Sequence, residues 1–106
     1  MKNFYKNFDI KSPEFDIRNP DDILKTIISE LMTGVRNREH PYHLLSVANI
    51  NSKNEPDVRN VVHRDCDFSE RKIIYHSDIR CQKISDLREN NKVSLLFYSP
   101  VTKIQL

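Results

Sequence analysis

Residues 57–83 read DVRNVVHRDCDFSERKIIYHSDIRCQK, and the fold turns on how this stretch is read. Its first part, Val58 to Asp65, mixes β-branched residues with cations in the manner of a strand. Side chains alternate across a strand, so Arg59, Val61 and His63 share one face while Val58, Asn60, Val62 and Arg64 share the other. The two arginines therefore point apart unless a bulge or the strand end re-aims one. A polar turn over Asp65 to Arg71 leads into a second strand, Lys72 to His76. Upstream, His43 to Ile50 reads as a third strand joined through the polar loop Asn51 to Pro56, so the three runs form an antiparallel meander.

Working outward, Ile79 to Glu89 has the spacing of a short helix, with Ser77 or Asp78 as its N-cap. Hydroxyl, amide donors and the cations Arg80 and Lys83 then collect at a helix N-terminus, where an anion is favoured. The plain alternative is that Arg80 and Lys83 form the solvated face of that helix. Arg59 and Arg64 can equally be solvated strand arginines. Val93 to Tyr98 is an apolar strand, Ser99-Pro100 turns the chain, and Thr102 to Leu106 begins a last strand. Near the N-terminus, Asn19 as N-cap, Pro20 at N1 and Asp21-Asp22 in the first turn open a helix that runs to about Arg36. Its apolar stripe is Ile23, Leu24, Ile27, Ile28, Leu31, Met32 and Val35. Residues 1–18 show no clear period and read as an arm, leaving 19–106 as one domain.

Composition narrows the function. The 106 residues carry 17 basic and 15 acidic side chains, a net +2 that predicts neither nucleic-acid nor membrane binding. Gly34 is the sole glycine, which excludes the glycine-rich phosphate loops of dinucleotide and P-loop folds. A bound phosphate must be held by side chains. Cys66 and Cys81 belong to no CxxC or Cys/His cluster and read as free thiols in a reducing compartment. With no apolar leader or span, the expected location is the cytoplasm. His40 and His43 form an HxxH spacing broken by Pro41 and lacking a third ligand, so no metal site is expected. No nucleophile–base triad or paired-carboxylate arrangement stands out, and no catalytic residue is assigned.

These motifs resemble the pyridoxamine 5'-phosphate oxidase-like family of FMN-binding split β-barrels. The shared pattern is Arg59-Asn60-Val61-Val62-His63-Arg64, then His76-Ser77-Asp78 followed by Arg80, Gln82 and Lys83, then Asn90-Asn91 before Val93 to Tyr98, and finally Gln105. Cys81 stands where the family carries a serine, His63 where it carries an apolar residue, and Lys92 where it carries a proline. The resemblance implies a mainly β fold with helices, a split barrel left incomplete at Leu106, since the family continues past the Gln strand. A fragment, a split gene and a naturally short relative are the three explanations.

The resemblance further implies that Arg59 and Lys83 contact the FMN phosphate, with Arg80 and Gln82 close by. The strand Arg59 to Arg64, including Asn60, Val61 and Val62, would lie along the flavin, while His76, Ser77 and Gln105 position the ring system. The implied function is an FMN-dependent oxidoreductase acting on an unknown small molecule, homodimeric, with flavin at the subunit interface. Two alternatives are a non-enzymatic flavin- or haem-handling protein of the same barrel type, and a small β-barrel module binding RNA or protein through Tyr75, Phe97 and Tyr98.

Overall fold

The computed structural model describes residues 18–76 and 82–106, with Gln82 and Lys83 described by their backbone alone. Helix α1 spans Pro20–Arg36 and starts as expected, with the Asn19 side chain accepting from the N–H groups of Asp21 at 3.1 Å and Asp22 at 3.3 Å. Its inward line is narrower than the apolar stripe. Ile27, Leu31 and Gly34 face the core, whereas Leu24 and Met32 are exposed. The expected arm over residues 1–18 lies outside the described residues, apart from Arg18.

A single-turn 3-10 segment, Pro41–His43, delivers the chain to β1, Leu44–Ile50. His43 was expected to open the strand; Pro41 and the His40 side chain, which accepts from the Tyr42 N–H, curl it into the turn instead. β2 runs Pro56–Asp67 and β3 Lys72–Tyr75, so the meander forms as read, with β2 two residues longer at each end. The β1–β2 turn is held by Asn51, whose side-chain oxygen accepts from Lys53 and Glu55.

Helix α2, Gln82–Glu89, packs on β1, and β4, Val93–Leu96, adds to β1's free side, giving the antiparallel order β3-β2-β1-β4. The apolar run expected as one strand over Val93 to Tyr98 breaks at Phe97. There the chain leaves β4, and Tyr98–Ser99 (β5) pairs with Ile104–Gln105 (β6) in a separate hairpin. Its turn is fastened by Ser99, whose backbone carbonyl accepts from Lys103 N–H at 2.7 Å and whose buried hydroxyl accepts from Thr102 N–H at 3.2 Å. The last strand is thus two residues, shorter than the expected Thr102 to Leu106.

The core comprises Leu31, Tyr42, Leu45, Val47, Val61 and Phe97. Gly34 lets α1 reach it: a Cβ there would stand 2.5 Å from the Tyr42 carbonyl oxygen.

Candidate cofactor site

The alternation read for β2 holds where the strand is covered. Val61 faces Leu45 across the pair and is buried, as is His63. Arg59, two residues earlier on the same face and opposite Val47, is exposed. Between His63 and Asp65 the register with β3 shifts, His63 pairing Tyr75 and Asp65 pairing Ile74, so Arg64 sits in a β-bulge. A bulge bends the strand and re-aims its side chains, one of the conditions under which strand alternation need not separate the two arginines. Arg64 is exposed.

Asn60 lies opposite Ser46, whose hydroxyl donates to Asn60 Oδ1 at 2.7 Å, leaving its amide donors on an exposed side chain. Val62, opposite Leu44, is half-buried. His76 follows the end of β3 and is exposed. Gln105, on β6 opposite Tyr98, is also exposed. Gln82 and Lys83 open α2, while Ser77 and Arg80, together with the N-cap candidate Asp78 and the thiol of Cys81, lie outside the described residues. An open depression of about 200 Å³ on the outer sheet face brings Asn60 of β2 beside Leu44, Leu96 and Tyr98, the partner of Gln105.

Several polar residues take parts that sequence reading did not assign. His40 is buried; its Nε2 donates to Glu30 at 2.5 Å and its Nδ1 accepts from Tyr42 N–H at 3.0 Å. His43 Nδ1 donates to the Gly34 carbonyl at 2.8 Å. The HxxH pair is therefore engaged in binding helix to turn, and among the described residues no group of His, Cys, Asp or Glu is placed to hold a metal. His63, fully buried, donates from Nδ1 to the Tyr42 carbonyl at 3.1 Å, while its Nε2 makes no hydrogen bond. Burial holds its pKa below the ordinary value, with bonding to Tyr42 opposing and His43 adding to the effect. Asn49 and Asp86 are likewise buried polar residues. Asp86 sits on α2 between Ile84 and Leu87, and no spacing rule marks it. The Tyr42 cluster has a faint sequence signal in its two flanking histidines and proline. Burial pushes the Cys66 thiol up, so it is a protonated, half-buried side chain.

The aromatics do not form a stacking platform for nucleic acid: Phe97 is in the core, Tyr75 packs against it, and Tyr98 alone of the three is exposed. The donor set does suit a flavin mononucleotide. Arg59 and Arg64 are exposed cations, the side-chain type that pairs with a phosphate, and Asn60 and Gln105 are exposed amides, the type that donates and accepts at a heterocycle edge.

The sequence profile of the pyridoxamine 5'-phosphate oxidase FMN-binding domain matches residues 23–106. The chain belongs to that family. FMN is the cofactor of this domain, and the curled antiparallel sheet with two helices is its split-barrel architecture. Among solved structures, a pyridoxamine 5'-phosphate oxidase-related, FMN binding protein from Nostoc punctiforme aligns with a TM-score of 0.63 at 19% identity. The alignment covers 74% of this chain and 40% of that one, so the matched part spans well under half the length of that relative. At that identity the likeness speaks for the fold. No curated protein matches the chain significantly.

Proposed function

We propose that this chain holds FMN through side chains alone and serves as the flavin-gripping part of an oxidoreductase. Arg59 and Lys83 take the phosphate, Arg80 and Gln82 stand beside it, and the β2 segment from Asn60 through Val61 and Val62 to Arg64 runs along the flavin. His76, Ser77 and Gln105 orient the ring system. The observation that carries this reading is the family match across 23–106, with the exposed cations Arg59 and Arg64 on the strand whose neighbours Val61 and His63 are buried. When bound, FMN supplies the electron chemistry, and the protein contributes grip, orientation and field. No side chain of the chain is assigned as acid or base.

A homodimer with the flavin between subunits fits the dimensions. The outer depression of about 200 Å³ is smaller than the ~300–1,000 Å³ usual for a bound small molecule. Its rim carries the exposed apolar residues Leu44, Leu96 and Tyr98, which a second subunit would cover. The substrate is a small molecule, and the setting is the cytoplasm, in keeping with the free Cys66. Among the described residues no helix is long and apolar enough to cross a membrane.

The test is a titration of the purified chain with FMN, followed by visible absorbance and by mass in solution. Arg59→Ala and Lys83→Ala should each weaken FMN by about 1.5–3 kcal/mol, the scale of a hydrogen bond to a charged group. Riboflavin, lacking the phosphate, should bind the parent less tightly. Equal affinities in parent and both variants would reject the assigned phosphate grip.

A further inference from the structure

Tyr42 is 2% exposed and is engaged on every side. Its N–H donates to His40 Nδ1, its carbonyl accepts from His63 Nδ1, and its hydroxyl donates to the Ile104 carbonyl at 3.0 Å, across 62 residues of sequence. The ring stacks edge-on against Phe97 with centroids 5.7 Å apart, and Phe97 exchanges both backbone hydrogen bonds with Leu106 at 3.0 and 2.9 Å. Gln105 is thus bracketed: the residue before it is held by the Tyr42 hydroxyl, the residue after it by Phe97, and it pairs with Tyr98 itself. At its other end the same tyrosine holds His63, which lies between Val62 and Arg64 in the middle of β2.

We propose that Tyr42 is a positioning residue for the flavin: it sets the spacing between the β2 segment and the hairpin that carries Gln105. The proposal rests on the FMN reading above and adds to it a residue that touches neither phosphate nor ring. Two strands of two residues each make a hairpin too short to hold its own place in water. An outside tether is needed. A phenylalanine would fill the same volume and keep the contact with Phe97, so the hydroxyl is the informative atom. Burial raises its pKa, which keeps it the protonated donor that the Ile104 carbonyl requires. The Thr102 hydroxyl, which interacts with the Tyr42 hydroxyl, also accepts from Ile104 N–H at 3.3 Å, so the two side chains hold Ile104 from its two flanking peptide groups.

Tyr42→Phe removes the tether and leaves the ring. Amide exchange, which needs no cofactor, should accelerate by about two- to tenfold at Phe97 and Leu106 with α1 unchanged, the range expected for one net hydrogen bond. FMN and riboflavin should both bind about two- to tenfold more weakly, at an unaltered FMN-to-riboflavin ratio, and the visible band of the bound flavin should shift. Arg59→Ala, acting at the phosphate, should instead bring that ratio towards one. Thr102→Val, which leaves the core intact, should reproduce the Tyr42→Phe pattern in milder form and serves as the reporter if Tyr42→Phe fails to fold. If the parent binds FMN but Tyr42→Phe and Thr102→Val leave affinity and spectrum unchanged, the positioning role is overturned alone. A parent that binds neither flavin overturns it together with the cofactor reading.

Discussion

On the covered side of β2, Val61 and His63 press against Tyr42, Leu45 and Phe97. On its exposed positions Arg59, Asn60 and Arg64 meet solvent a residue or two away. The covered side binds its polar groups to one another: Glu30 to His40, His40 and His63 to the Tyr42 backbone, His43 to Gly34, Tyr42 to Ile104. The exposed side presents cations and amides outward. Most buried polar atoms here find partners within the protein because desolvation is costly, His63 Nε2 being an exception, whereas exposed ones keep access to solvent. The same strand therefore contributes to the core at Val61 and His63 and presents polar side chains to solvent at the positions beside them.

The strongest way to break this contrast is Gly34→Ala. The added methyl would meet the Tyr42 carbonyl oxygen at 2.5 Å and its Cβ at 2.7 Å, so the backbone of the turn would have to shift. A loss of about 2–3 kcal/mol in urea unfolding is expected from overpacking, outweighing alanine's better helix propensity of about 1 kcal/mol. Arg64→Ala, on the exposed side, should stay within about 0.5 kcal/mol of the parent. Comparable losses in the two variants would erase the distinction.

His63 sharpens it through pH. Its folded-state pKa lies below that of the unfolded chain, about 6.5, so on acidification the unfolded chain takes up the proton first. Stability is whole above that pH and falls as pH drops through the folded-state value. The groups facing the imidazole are Tyr42 and His43 from the 3-10 segment, Asp65 on β2, Tyr75 on β3 and Phe97, and Asp65 alone offers charge that would favour the imidazolium. His63→Leu should flatten the difference in urea midpoint between pH 7.5 and pH 5; an unchanged slope would show that another group governs acid sensitivity.

Smaller effects test the edges of the covered side. Asn19→Ala removes the cap of α1 and should cost about 1 kcal/mol, read as a lower thermal midpoint. Lys103 closes the β5–β6 turn at φ 61°, in the left-handed region, where a side chain is strained. Lys103→Gly should raise stability by about 0.5–1 kcal/mol, with the hairpin amides exchanging no faster than in the parent.

Much of this was legible in residues 19–76 as written. The cap at Asn19, the strand alternation around Val61 and His63, and the polar loop from Asn51 follow from local rules, and the structure bears them out. The break at Phe97 was not legible, because Val93 to Tyr98 is apolar throughout and no local rule separates a ladder residue from one that turns inward to meet Tyr42. Asp86 was hidden for the same reason: the burial of a helix aspartate depends on what packs over it. Ser77 and Arg80 lie outside the described residues, and Gln82 and Lys83 are described by their backbone alone, at the start of α2.

By itself the sequence determined α1, the β1–β2–β3 meander and the family pattern from Arg59 to Gln105. Each depends on neighbours in the chain or on periodicity. Only the tertiary structure decided which apolar residues of α1 face inward, why the single glycine sits at position 34, that Arg64 occupies a bulge, and that Tyr42 joins β2 to the last hairpin. Those outcomes depend on contacts between segments up to 62 residues apart, where burial and the pairing of polar groups, rather than local propensity, select the arrangement.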